Sequence, residues 1–264
     1  MIDPRAIVDP SVKIGRDVHI GPWTMVGPDV EIGDGCRIAS HVMLRGPTRL
    51  GPRNRIYQFA TVGEGTPAVA YRGEPTTLEI GSDNIIREGV TMHRGTVQDQ
   101  GKTVVGDNNL FMAYVHVGHD CRIGSNVIMA NNASASGHVR VGDYANIGGY
   151  AGIPQHRSIG AYTMVGGMSL VLKDVPAYVS VSGNPASAVG MNVEGMRRRG
   201  LPGDVIEALR EAYRVVYLGG HTVKAALAVL AATGPRCPEV QEFAASIAAS
   251  QLGIVRPRRA SPDD

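Results

Sequence analysis

The sequence predicts an all-β solenoid, a parallel β-helix of triangular section, closed by a small α-helical cap. Three observations predict it. An aliphatic residue recurs at every sixth position through most of the chain. Glycine and proline are abundant (34 and 16) while aromatics make up only 5%. The six-residue period stops near residue 191, where a helical period replaces it.

The hexad register runs Val8, Ile14, Ile20, Val26, Ile32, Ile38, Leu44, Leu50, Ile56 and Val62. It resumes at Ile80, Ile86 and Met92, and again from Val105 through Phe111, Val117, Ile123, Met129, Ala135, Val141, Ile147, Ile153, Ile159 and Val165 to Val171. At 43% apolar content the two long runs would arise by chance on the order of once in a hundred million tries. A period of six fits neither a helix nor simple strand alternation. It fits a short strand plus a turn, with one side chain per hexad entering a narrow core. Few aromatics agree with a core of thin aliphatic layers. Glycine follows the core position at many steps (Gly15, Gly33, Gly118, Gly124), and Asn or Asp comes soon after (Asp34, Asn54, Asn126, Asn132). These residues tolerate the positive φ of repeated sharp turns. Three hexads close one coil, and coils stack at roughly 4.8 Å.

Two stretches, 64–79 and 97–103, break the register and are expected to project as loops that shape a binding face. The β-helix is thus expected over 1–190. A three-helix α-helical domain is expected over 191–255, and a disordered tail over 256–264. In the helical part, Asp204 can cap a helix whose Ile206, Leu209, Tyr213 and Val216 share one face. Thr222 can start a second helix and Pro238 a third, with Val240, Phe243 and Ile247 inward. Such a cap would cover the open end of the solenoid, where strand edges lie unpaired.

A formal charge of +2 gives no reason to expect nucleic acid as a partner. Three cysteines with no CxxC spacing point to a reducing, cytoplasmic setting. The opening MIDPRAIVDP lacks the basic and apolar regions of a secretory signal, so none is expected. No stretch approaches the roughly 20 apolar residues of a membrane span, so no integral membrane segment is expected.

The register also places the histidines. Met92, Val117, Ala135 and Ile153 are three hexads apart once the 97–103 loop is set aside, so they stack in four successive coils. His93, His119, His138 and His156 follow them by one to three residues, and His116 precedes Val117. All should gather along one edge of the prism, within a span of roughly 15 Å. Scattered, solvated surface histidines are the plainer alternative. An aligned set suits acyl transfer to a hydroxyl, which needs a base titrating near neutrality and N–H donors for a tetrahedral oxyanion. Asp120, next to His119, could orient that imidazole, and Gly137 offers an unobstructed amide. No GxSxG elbow supports a serine nucleophile. Cys121 could serve as one, although a small buried core cysteine is the simpler reading.

Several segments sharpen this picture: IYQFATVGE (56–64), GEPTTLEIG (73–81), TMHRGTVQ (91–98), HVGHDC (116–121), ANNASASGHV (130–139), MVGG (164–167) and NVEGMRRRG (192–200). Through them the chain resembles, over nearly its full length, the bacterial UDP-N-acetylglucosamine O-acyltransferases, a family of the hexapeptide-repeat acyltransferases. The resemblance implies that the coils wind left-handed, which periodicity alone could not supply. It implies transfer of an (R)-3-hydroxyacyl group from acyl carrier protein to a UDP-sugar in lipid A synthesis, by a homotrimer with sites between subunits. It implies His119 as general base, Asp120 as its partner, and the Gly137 N–H as the group polarising the thioester carbonyl. His93, His116, His138 and Gln155 would line the groove. Asn192, Glu194, Arg198 and Arg199 of a neighbouring subunit would hold the uridine diphosphate, arginine being suited to two-pronged phosphate contacts. Gly167, with Met164 close by, would act as the acyl-chain ruler. No cofactor and no metal is expected.

Two departures stand out. Where the family usually reads Q-D-x-K-Y, this chain has Pro67, Ala68, Val69, Ala70 and Tyr71; where it usually reads H-Q-F, this chain has Pro154, Gln155 and His156. The aspartate and lysine that would contact the nucleotide sugar are missing at Ala68 and Ala70. Alternatives therefore stand beside the main reading: a paralogue using another nucleotide sugar or an acyl- or acetyl-coenzyme A donor, a zinc lyase binding metal through His116, His119 and His138, and a non-catalytic scaffold.

Overall fold

A computed structural model of the protein describes residues 1–234 and 237–258. Three parallel sheets form the faces of a triangular prism. The first face runs from Ile7–Val8 to Gly152–Ile153, and the second from Lys13–Ile14 to Ser158–Ile159. The third runs from His19–Ile20 to Val179–Ser182 and ends in Ser187–Met191, the one antiparallel partner in the pairings of the described residues. Most strands are two residues long: the first side chain points outward and the second inward. Arg122 and Ile123, or Met164 and Val165, show the pattern. The hexad residues Ile20, Val26, Leu44, Ile56, Val117, Ile147 and Val165 are accordingly buried.

Each corner requires one left-handed residue. Asp120, Asn126, Asn132, His138 and His156 all have φ near 60°. Inside the prism a ladder of buried asparagines ties coil to coil. Asn84 Nδ2 donates to the Gly106 carbonyl (3.0 Å), and its Oδ1 accepts from the Asn109 N–H (3.0 Å).

The two excursions close earlier than the hexad count implies. Thr77–Ile80 and Lys102–Val105 are paired strands, Thr77 opposite Lys102, so the loops occupy 65–76 and 94–101. Counting only every sixth residue misses the extra inward side chains, Leu78 and Thr103, that lengthen these strands.

The helical part differs in detail from the sequence reading. A short helix α1 (Val193–Arg198) precedes the three expected ones; Asn192 caps it by accepting from the Gly195 N–H (3.1 Å). Helix α2 (Gly203–Tyr213) starts after Pro202, with Asp204 in its first turn rather than at its cap, and runs into a π-helical turn, Arg214–Leu218. Helices α3 (Val223–Thr233) and α4 (Pro238–Ala248) follow, α4 burying Val240, Phe243 and Ile247. After α4 the chain returns to the prism, where Asp174 bridges Ile254 in parallel register and covers the last edge of the second face. Arg256, expected in the disordered tail, instead donates to the Val216 carbonyl (2.6 Å) and stacks on Tyr217. Residues 259–264 of that tail lie outside the described residues. No helix among the described residues is long and apolar enough to cross a membrane.

Candidate active site

The stacking that the register required is present. Met92 pairs with Val117, Val117 with Ala135, and Ala135 with Ile153, so the corner that follows the first face repeats every 18 residues above residue 117. His119, His138 and His156 occupy this corner in consecutive coils. The His119 and His138 rings meet edge to face at 4.9 Å, and His138 stacks on His156 at 4.3 Å. His93 and His116 form a second pair at 5.3 Å just before the corner.

His119 Nδ1 lies 2.8 Å from Asp120 Oδ2, and the carboxylate side chain is 1% exposed. The 94–101 loop folds over this pair. The Thr96 N–H donates to Asp120 (2.9 Å to Oδ1) and the Thr96 hydroxyl donates to Oδ2 (2.8 Å). The carboxylate, already an acceptor from Thr96, accepts a hydrogen bond from the His119 Nδ1–H as well. That fixes the tautomer and leaves a lone pair on Nε2. Nε2 faces the next coil: a Cβ placed on Gly137 would fall 2.4 Å from it. Gly137 is thus the residue whose missing side chain makes room for the imidazole. Its own N–H donates to nothing among the described residues.

Burial pushes His93 down to about 4, helped by neighbouring His116, and its Nδ1 is buried without a partner. Burial also lowers His116, whose Nδ1 lies 2.8 Å from Thr91 Oγ1. Both rings are neutral at neutral pH and lie near His119. His138 Nδ1 bonds Asp99 Oδ2 at 3.0 Å. Gln155 sits above Gly137 at the same corner, exposed, with its carbonyl accepting from Arg157. Cys121 is buried, with its thiol pushed up to about 12 by burial and its Sγ directed at the Ser136 carbonyl (3.0 Å). It belongs to the core and is no nucleophile at neutral pH.

The other expected site residues assemble elsewhere. Asn192, Glu194, Arg198 and Arg199 line one cavity of about 420 Å³ against the third face, with Met164 and Tyr144. Glu194 pairs with Arg198 (3.0 Å), Arg199 lies over the Tyr144 ring, and Asn192 Nδ2 donates to the Tyr162 carbonyl (2.8 Å). Gly167 sits at the corner after the third face, where a Cβ would approach the Gly149 carbonyl oxygen at 3.3 Å. These groups lie on a different side of the prism from the histidine corner of the same chain. In the first loop, Ala70 is exposed, and the nearby Arg72 guanidinium donates to the carbonyls of Val69 and Tyr71. Arg94 braces this loop through the Tyr71 hydroxyl (3.0 Å).

Sequence reasoning missed Thr96 and Asp99, since hexad counting says nothing of where a loop lands. Among the described residues one cluster could share a cation, through one atom each of His119, Asp120 and His138. It contains two imidazoles, and His116 is not part of it, so the three-histidine zinc site weighed above is not assembled.

Residues 174–255 match the family model of UDP N-acetylglucosamine O-acyltransferase, domain 2, and residues 11–46 and 102–134 match that of the bacterial transferase hexapeptide. An acyl-[acyl-carrier-protein]–UDP-N-acetylglucosamine O-acyltransferase of Stutzerimonas stutzeri (strain A1501) is 55% identical over 256 residues, 97% of this chain and 99% of its own length. The chain belongs to the UDP-N-acetylglucosamine O-acyltransferase family. Solved structures agree: the LpxA of Acinetobacter baumannii superposes with TM-score 0.94 at 48% identity, covering 97% of this chain and 99% of that one. The UDP-N-acetylglucosamine O-acyltransferase of Moraxella catarrhalis RH4 gives 0.95 at 47%, with the same coverage. The prism is accordingly a left-handed parallel β-helix, the winding that the family resemblance implied.

Proposed function

We propose that this family member transfers an (R)-3-hydroxyacyl group from acyl carrier protein to the 3-hydroxyl of UDP-N-acetylglucosamine, the first step of lipid A synthesis. The carrying observation is the buried His119–Asp120 pair whose free Nε2 faces Gly137, in a chain 55% identical over nearly its full length to an enzyme named for this reaction. His119 Nε2 takes the proton of the sugar hydroxyl as its oxygen attacks the thioester carbonyl. Asp120 holds the ring and stabilises the imidazolium that forms. The Gly137 N–H donates to the oxyanion, which collapses as the thiolate leaves and takes the proton from the imidazolium.

His93, His116, His138 and Gln155 line the groove. Asn192, Glu194, Arg198 and Arg199 hold the uridine diphosphate from a neighbouring subunit of a cytoplasmic homotrimer. Their position on the third face, away from the histidine corner, supports that assignment. Gly167 and Met164 bound the acyl chain. The test is turnover of purified protein with (R)-3-hydroxyacyl carrier protein and UDP-N-acetylglucosamine, read by mass spectrometry. The 3-O-acylated nucleotide sugar is expected; turnover with acyl-coenzyme A alone, or with another nucleotide sugar alone, would overturn the proposal.

A further inference from the structure

A cavity of about 460 Å³ opens on the second face beside the histidine corner, walled by His138 and His156 and by Arg122, Arg140 and Arg157. Arg122 and Arg140 are register partners on adjacent parallel strands, both outward. Like charges directly opposite each other across strands are destabilising unless a counter-charge lies between them. Among the described residues none of the three arginines forms an ion pair with a carboxylate. Arg157 is held in place by donating through Nε to the Leu172 carbonyl (2.8 Å) and through Nη1 to the Gln155 carbonyl (3.1 Å), which leaves its Nη2 uncommitted.

The carboxylates on the same wall are already engaged. Asp120 accepts from Thr96 and His119, Asp99 from His138, and Asp174 from the Ser158 N–H (2.9 Å) and the Ser250 hydroxyl (2.6 Å). The three carboxylates keep their charge and balance the three guanidinium groups over the cavity as a whole, but their oxygens are engaged elsewhere, and among the described residues the guanidinium N–H groups of Arg122 and Arg140 meet no acceptor. Guanidinium forks match the oxygens of a phosphate.

We infer that Arg122, Arg140 and Arg157 form a phosphate-binding subsite adjoining the histidine corner. The inference rests on the acyl-transfer reading, in which both substrates bring a phosphate: the phosphodiester of the carrier's pantetheine arm and the diphosphate of the nucleotide sugar. Within one chain the subsite is separate from the cavity of Arg198 and Arg199, which faces the third sheet.

The test compares wild type with the double variant Arg122→Gln/Arg140→Gln and with Arg157→Gln. KM is measured for acyl-phosphopantetheine, for acyl-pantetheine lacking the phosphate, and for UDP-N-acetylglucosamine. Charge-assisted contacts of this kind predict a KM increase of about tenfold or more for one phosphate-bearing substrate, with kcat within about twofold. A rise for acyl-phosphopantetheine assigns the subsite to the donor, and a rise for the nucleotide sugar assigns it to the acceptor. If neither KM moves beyond about twofold, or if acyl-pantetheine shifts as much as its phosphorylated form, the inference is overturned. Calorimetric titration with inorganic pyrophosphate needs no turnover and separates this inference from the acyl-transfer reading. Weaker binding by the variants supports the subsite, and unchanged binding refutes it.

Discussion

Gly137→Ala is the smallest perturbation that reaches the chemistry. Gly137 does not have a positive φ, so alanine fits its backbone and the substitution adds only a methyl group. That methyl would lie 2.4 Å from His119 Nε2 and 2.5 Å from Cε1, whereas ordinary contact begins at 3.4 Å, so the ring must retreat by 3.4 − 2.4 = 1.0 Å. It cannot retreat freely. Its Nδ1 is bonded to Asp120, and Asp120 is held in turn by Thr96. A misplacement of about 1 Å in a reacting group costs on the order of 10²-fold in rate. The assay is kcat with both substrates saturating, alongside thermal melting to verify that the prism is intact. Because the loss acts through His119, adding Gly137→Ala to His119→Ala should cost little more than His119→Ala alone. A Gly137→Ala enzyme within about threefold of wild type, or losses that multiply fully in the double variant, would refute the steric coupling.

Three further outcomes are expected. Asp120→Asn keeps the shape of the pair but turns one acceptor oxygen into an NH2 donor, which cannot serve both Thr96 and the His119 Nδ1–H; kcat should fall by about 10² to 10⁴ and the melting temperature should fall modestly as a buried donor loses its acceptor. His93 binds its proton near pH 4 in the fold but near 6.5 when unfolded, so the unfolded chain takes up protons first as the medium is acidified. Stability, followed by denaturant titration, should therefore fall from pH 6.5 towards 4, and His93→Phe should flatten that slope; an identical slope in the variant would contradict the assignment. Asn84→Ala strands the Asn109 N–H and the Gly106 carbonyl inside the prism and should destabilise by roughly 2–4 kcal/mol without altering KM.

The prism and the histidine corner were legible in the sequence for one reason. With one inward residue per hexad, knowing the core register fixes which corner every other residue occupies. Met92, Val117, Ala135 and Ile153 stack as counted, and His119, His138 and Gly137 follow from them. Arg122 and Arg140 were not singled out from the sequence; the structure shows them as register partners that, among the described residues, pair with no carboxylate. Loop ends were less legible because Thr77, Leu78, Lys102 and Thr103 add strand pairing that a six-residue count skips. The lid contacts of Thr96 and Asp99 were not legible, since a loop's landing point depends on packing rather than on repeat phase. Helix α1 is too short to show a helical period and is revealed by its Asn192 cap.

Single-turnover kinetics of His119→Ala, with saturating acyl carrier protein donor and UDP-N-acetylglucosamine, tests the assignment of the base most directly. The account predicts a chemical step slower by about 10² to 10⁴, with binding of both substrates largely retained. A chemical step at the wild-type rate would mean that some other group takes the hydroxyl proton, and the role given to the His119–Asp120 pair would be wrong.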